Sequence, residues 1–285
     1  MHTRNELYAA LDRYLDALRN NTPHTAGVAD AAFITENNVV LTLGDGLWNT
    51  LTQLGPYDLR FADTATGEVA VFTTAEETDA TSPASIRLQV THGAVTAVET
   101  VVARNKDEGF PFLGQSFDDK PVMNAIVPAG ERSSREALLT IANGYFETIE
   151  RNDGTINTRF HPGCNRVENG VQTTNNAAFP LPIAKLGCED QFRLGFYRYD
   201  DRLRARRFPL VDEERGIVLA YGFIDHSGKL GDYTLTDGTP VSSPVRRPHS
   251  YYLAEAFKIR EGAIEQIEAA FHTVPYHMPS PWDAV

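Results

Sequence analysis

One three-part signature occurs twice along these 285 residues. Glu36-Asn-Asn-Val39 is followed by Asp63-x-x-x-Gly67 and by Gly93-Ala-Val-x-x-Val-Glu99. Glu168-Asn-Gly-Val171 is followed by Asp212-x-x-x-Gly216 and by Gly262-Ala-Ile-x-x-Ile-Glu268. Turn residues and apolar periods recurring in one order predict two copies of one fold in a single chain. Each copy is then a control for the other. A position that is apolar in one and charged in the other has left packing duty, and such positions concentrate in the second copy.

Both copies can bury a core, because 42% of the residues are hydrophobic and 22% charged, the balance of a globular protein. The net charge of −12 argues against a nucleic-acid partner, which requires a surplus of Lys and Arg. The one basic cluster, Arg193 to Arg207, is interleaved with Phe192, Phe196, Tyr197 and Tyr199 and suits an anionic or aromatic small ligand better. No apolar run approaches the ~20 residues of a membrane span, so no membrane partner is expected. An amphipathic pattern opens the chain with no signal region before it, which predicts a cytoplasmic protein. Cys164 and Cys188 are too few for a disulfide framework. Two buried thiols are expected, with a single bridge inside the second copy as the alternative.

Leu7, Leu11, Tyr14, Leu15 and Leu18 put one apolar stripe on a helix over 5–20. Leu138, Ile141, Tyr145, Phe146 and Ile149 do the same over 134–151, with Ser134 as its N-cap. Shorter helical pieces are expected near 47–54 and 183–194. Period-two alternation predicts a closing hairpin in each copy. Ile86, Leu88 and Val90 turn at His92-Gly93 and return through Val95; Glu255, Phe257 and Ile259 turn at Glu261-Gly262 and return through Ile264. The organisation read from this is a first domain over 1–104, an aperiodic linker rich in Gly and Pro over 105–132, and a second domain with a tail over 133–285. An insertion over 227–248 occurs only in the second copy, with the composition of a lid at the mouth of a site.

A long helix, a short one and a strongly curved antiparallel sheet closing in a Gly-x-Ile-x-x-Ile hairpin resemble the nuclear transport factor 2-like (SnoaL-like) cone. Cys164-Asn-Arg-Val-Glu-Asn-Gly-Val-Gln-Thr-Thr174, Arg206-Arg-Phe-Pro-Leu-Val-Asp-Glu-Glu-Arg-Gly216 and Glu255-Ala-Phe-Lys-Ile-Arg-Glu-Gly262 are similar to segments of a SnoaL-like subfamily of bacterial and fungal proteins. The resemblance is best over 134–274 and weaker over 5–104. It implies an α+β fold of two cones, each with N-terminal helices packed on a curved sheet, joined sheet to sheet as a pseudo-dimer. It also implies a ligand site in the cone's open end and chemistry without a cofactor. Cones of this kind serve as dehydratases, isomerases, lyases and plain binding proteins. One branch comprises cofactorless lyases that release formaldehyde from lignin-derived aromatic dimers, which makes such a lyase the specific candidate and an isomerase, a dehydratase or a binding protein the alternatives.

Aligning the copies on Gly93 and Gly262 places Ile86 opposite Glu255, so a carboxylate has replaced an inward aliphatic. Desolvation in an apolar cone would raise its pKa toward the range of a general acid or base. The same alignment sets Ala103 opposite His272, and Ser82 and Pro83 opposite Tyr251 and Tyr252. Aligned on the Glu-Asn turns, Ile34 faces Arg166; on Gly67 and Gly216, Tyr57 and Asp58 face Arg206 and Arg207. Guanidinium groups suit a phenolate, carboxylate or oxyanion. The catalytic candidates are therefore Glu255, His272, Arg166 and Tyr252. Arg206, Arg207, His161, Phe257 and Tyr145, the last a match of Tyr14 with an expected core role, make up the substrate-binding set. The expected partner is a small aromatic or polycyclic substrate, and association with further copies of the chain is left open. His161-x-x-Cys164 lacks the further ligands a zinc site needs, so no metal is expected. Nucleotide loops and a Gly-x-Ser-x-Gly elbow are missing from the sequence.

Overall fold

The computed structural model describes residues 2–78, 80–104, 114 and 117–284. Of the expected linker, 105–113, 115 and 116 lie outside the described residues. The chain is α+β with few helices and two large mixed sheets. Helices α1 (Arg4–Arg19) and α2 (Leu47–Thr50) accompany strands β1 (Val28–Glu36), β2 (Val39–Val40), β3 (Leu51–Leu54), β4 (Leu59–Asp63), β5 (Glu68–Glu77), β6 (Ala80–Thr91) and β7 (Ala94–Val102). After α3 (Pro121–Asn124) come α4 (Arg135–Arg151), β8 (Phe160–Glu168), β9 (Val171–Gln172), α5 (Cys188–Arg193), β10 (Arg202–Asp212) and β11 (Ile217–His226). A small β12–β13 hairpin (Asp232–Thr234, Pro240–Ser242) precedes β14 (His249–Arg260) and β15 (Ala263–Val274).

The long helices form where the apolar stripes predict them. Thr3 and Glu6 close a capping box at the start of α1, and the Ser134 hydroxyl accepts from the Ala137 N–H at the start of α4. The short pieces end sooner than expected. Leu51 turns extended after α2, and Gly187 separates a 3-10 turn at Pro182–Lys185 from α5.

The first sheet runs β2-β1-β7-β6-β5-β3, with β4 also on β5; the second runs β9-β8-β15-β14-β11-β10. Strand for strand the order is the same. Each sheet is mixed rather than antiparallel, because β1 lies parallel to β7 and β8 parallel to β15. A parallel pair needs a long crossover, and here the crossover is the rest of the sheet itself.

The repeated motifs do matching work in both halves. Asn37 holds the Val102 backbone through its side-chain amide (3.0 and 2.8 Å), and Asn169 holds Phe271 likewise (3.0 and 2.9 Å), tying the first turn to the last strand. Gly67 and Gly216 have φ of +79° and +61°, and a Cβ on either would run into the carbonyl oxygen of Val90 or Ile259. Asp63 accepts from Arg135 at the head of α4 and from the Val211 N–H; Asp212 accepts from Arg4 at the head of α1 and from the Ala62 N–H. Each half thus anchors the helix of the other. Asn169 is fully buried, so Asn169→Ala would remove the side-chain partner of both the Phe271 N–H and C=O. We expect it to lower the unfolding free energy by about 3 kcal/mol in a urea titration.

Three apolar clusters order the layers as helix, sheet, sheet, helix. One lies between α1 and the first sheet, one between α4 and the second, and the third, with Phe61, Phe72, Leu219, Tyr221 and Ala256, between the two sheets. The tail crosses to the first sheet, where the Trp282 indole donates to Thr35 (3.2 Å) and lies over the guanidinium groups of Arg87 and Arg207.

Candidate functional site

The two helix-facing sides differ in one respect that bears on function. In the first half Trp48 stands edge-on to Tyr14 (5.5 Å) and leaves a void of about 10 Å³, at the lower limit for one water molecule. In the second, a cavity of about 690 Å³ opens between α4, α5, β11 and β14. Its outer wall comes from 179–184 and from the 227–248 insertion, through Ser242, Pro244, Val245, Arg246 and Arg247. Among the described residues the hollow belongs to the second half.

Glu255 faces this cavity from β14, on the side shared with Tyr251 and Leu253. No cation lies within ion-pair distance of it among the described residues; the Tyr145 hydroxyl is its hydrogen-bond partner. Burial, reinforced by the nearby charge of Glu168 and opposed by Arg166, pushes its pKa up to about 8. Arg166, on β8, is 3% exposed. Its Nε donates to Glu168 (3.0 Å) and Thr173 (3.1 Å), Nη1 to Tyr145 (3.4 Å), and Nη2 to Gln191 (2.7 Å) and Tyr197 (2.6 Å). The guanidinium therefore fixes Tyr145 beside Glu255 and has one Nη1 proton left for a ligand.

Of the nine residues singled out from sequence, the structure brings Glu255, Arg166 and Tyr145 together on the cavity wall and places the other six elsewhere. Phe257 is fully buried against Tyr145 (4.9 Å between rings) and Phe146, in the core beside the site. Tyr252 and His272 are register partners on the opposite face of the sheet, against the first half. The Tyr252 hydroxyl donates to Glu99, and His272 is depressed by burial and by the charge of Arg104. His272, a catalytic candidate from sequence, therefore lies on the face of the sheet away from the cavity. Arg207 is also at the sheet interface, paired with Glu99 (2.5 Å). Arg206 is on the outside of β10, bonded to Asn143 (3.3 Å) and Glu150 of α4. His161 accepts from the Gly163 N–H (3.2 Å) at the start of β8, away from the cavity.

Sequence reasoning missed the opposite end of the cavity. His226 Nε2 lies 2.9 Å from the Asp200 carboxylate, and the His226 ring stacks on that of His249 (4.5 Å between centres). All three line the cavity. Burial pushes the Asp200 pKa up while His226 draws it down; burial and His226 lower that of His249. A signal existed in the comparison of the halves. His226 pairs with His249 where, in the first sheet, Glu77 pairs with Ala80.

Cys164 and Cys188 are free, buried thiols, and Cys188 donates to the Cys164 carbonyl (3.2 Å). Among the described residues no group of three or more His, Cys, Asp or Glu is placed to hold a metal ion, and no helix is long and apolar enough to cross a membrane.

Residues 131–271, which carry α4, the second sheet and the cavity, match the model of a domain of unknown function (DUF8021). No curated protein matches the sequence. Similar solved structures include a protein provisionally called a ketosteroid isomerase from Kribbella flavida (15% identity, 38% of this chain and 84% of that chain, TM-score 0.30). AusH from Aspergillus nidulans is another (10% identity, 38% of this chain and 90% of that chain, TM-score 0.32). An NTF2-like protein of unknown function from Cytophaga hutchinsonii is a third (10% identity, 36% of this chain and 91% of that chain, TM-score 0.27).

Proposed function

We propose that the chain is a cofactor-independent enzyme that moves a proton on a small aromatic or polycyclic substrate, as an isomerase or dehydratase, with Glu255 as the group that carries it. The observation behind this reading is a carboxyl in an apolar cavity, without an ion pair and with a pKa of about 8. Near neutral pH both its forms are populated, the condition for efficient acid/base work. The carboxylate takes a proton from a carbon next to a carbonyl. The acid so formed returns it to a second carbon, completing an isomerisation, or gives it to a departing hydroxyl, which leaves as water. The free Nη1 proton of Arg166 would, in this reading, meet the negative charge that gathers on the substrate oxygen, while the Tyr145 hydroxyl, whose one proton goes to Glu255, orients the carboxylate. In this reading 1–104 is the supporting cone, 105–132 the linker and 133–285 the active cone.

The test is deuterium uptake from heavy water into a panel of aryl-substituted cyclic ketones and β-hydroxy ketones, followed by NMR. Glu255→Gln is expected to slow exchange by about 10²–10⁴-fold. Unchanged exchange in that variant would remove the reading. A formaldehyde-releasing lyase has less support, because Arg206, His272 and Tyr252, three of the residues singled out from sequence beside Glu255, are away from the cavity. Glu255-dependent aldehyde release from hydroxylated aromatic dimers would restore it.

A further inference from the structure

Dehydration through Glu255 alone requires that the hydrogen it takes and the hydroxyl that leaves lie on one side of the substrate. A second carboxyl in the cavity lifts that requirement. Asp200 lines the wall, with His226 Nε2 2.9 Å from its Oδ1. Its other oxygen, Oδ2, has no hydrogen-bond partner among the described residues and is not sealed inside the protein. Both carboxyls share one neighbour. Arg166 Nη2 donates to the Tyr197 hydroxyl (2.6 Å), and three residues on the Asp200 N–H donates to the Tyr197 carbonyl (2.9 Å). Asn152 fixes that turn by returning both its side-chain groups to the Tyr197 backbone (2.6 and 3.2 Å). Asp200 and Glu255 each feel the charges of Arg166 and Glu168, so the guanidinium that meets a substrate oxygen is in electrostatic range of both.

His226 is itself held firmly. Its ring stacks on His249 (4.5 Å) and meets Tyr251 edge-on (4.7 Å), and among the described residues its Nδ1 has no partner. The ring proton therefore belongs on Nε2, where the Asp200 carboxyl accepts it. Burial pushes the Asp200 pKa up, which favours a second proton on the oxygen that His226 does not hold.

We propose that Asp200, positioned by His226, is a second catalytic acid that protonates the hydroxyl of a β-hydroxy ketone as it leaves, which makes the reaction a dehydration. The other half of the assignment rests on the proton-transfer reading. Glu255 takes a proton from the carbon between the carbonyl and the hydroxyl-bearing carbon, and the C–H electron pair becomes the new C=C bond. The C–O bond breaks, and the departing oxygen takes the Asp200 proton and leaves as water. Glu255 then holds one proton more and Asp200 one fewer, and exchange with water resets both. An isomerisation, in which one carboxyl carries the same proton from carbon to carbon, would give Asp200 nothing to do.

Two probes test this: the aldol adduct of benzaldehyde and acetone, followed by the absorbance of the conjugated enone, and benzylacetone, which lacks the hydroxyl, followed by deuterium uptake. The parent protein is expected to dehydrate the first and exchange the second. Asp200→Asn should slow water loss about 10²–10³-fold more than it slows exchange, and the exchange that remains shows an intact cavity. His226→Phe keeps the ring stack but not the donor and should slow water loss about 10–100-fold, whereas His226→Gln, which keeps an N–H for the carboxyl, should restore most of it. Equal slowing of both reactions in Asp200→Asn, water loss that continues in that variant, or exchange by the parent without water loss overturns the proposal and leaves Glu255 in its role. Asp200-dependent water loss without exchange would instead remove Glu255 as the base and keep Asp200 as the acid. Absence of both reactions overturns both assignments.

Discussion

At about pH 9, Glu255→Gln should be more stable than the parent protein by on the order of 4 kcal/mol, and at about pH 4 the two should unfold together. The sign follows from where the carboxyl titrates. In the unfolded chain it ionises near the ordinary 4.5, in the folded chain near 8, because burial disfavours the charge. Between those values the folded state holds a proton that the unfolded state has released, so stability falls as pH rises through the window and the loss is complete above 8. Glutamine fills the same space and never ionises, so it removes the loss. Glu268, pushed up to about 7 by burial beside Lys120 and Tyr57, adds a similar slope to both proteins and cancels in the difference. Urea titrations at the two pH values measure it. A difference that does not change with pH would mean that Glu255 ionises like a surface carboxylate, and the acid/base reading would lose its foundation.

The second large effect is expected at the sheet interface. Glu99 is fully buried and accepts from Arg87 (3.0 Å), Arg207 (2.5 Å) and Tyr252. Arg87 also reaches Glu68 (2.8 Å), so two cations and two carboxylates balance between the sheets, with only Arg207 partly exposed. Removing one partner of such a set strands the others in a medium that cannot solvate them. Glu99→Ala should cost about 3–5 kcal/mol of unfolding free energy. Glu150→Ala, which breaks the exposed pair with Arg206 on the outside of α4, should cost less than about 1 kcal/mol. Comparable losses for the two would show that the interface network is as hydrated as the surface.

The repetition was legible because each motif does a local job that few residues can do. An Asn in the left-handed region that returns both its side-chain groups to a strand, and a Gly where a carbonyl leaves no room for a Cβ, tolerate little variation. Glu255 was found because period-two alternation is rigid along a strand. The same comparison misplaced Tyr252 and His272 for a plain reason. It detects that a position has changed, not toward which face, and the faces that pack sheet on sheet have also diverged. Arg206 and Arg207 suffered from register as well, since β10 shifts twice between Arg204 and Leu210, with Ala205 at φ +49°. Asp200, His226 and His249 meet only through strand pairing and a long connection, so no sequence spacing announces them.

The exchange of anchors, Asp63 with Arg135 and Asp212 with Arg4, means that the two halves meet as a pair from the moment of synthesis, at an effective concentration no dilution can lower. In a pair assembled from identical chains every substitution arrives on both sides at once, so a buried carboxyl useful in one pocket would burden its mirror image. Tethered partners escape that constraint. One stays solid around Trp48, while its neighbour keeps a hole and a buried acid without an ion pair.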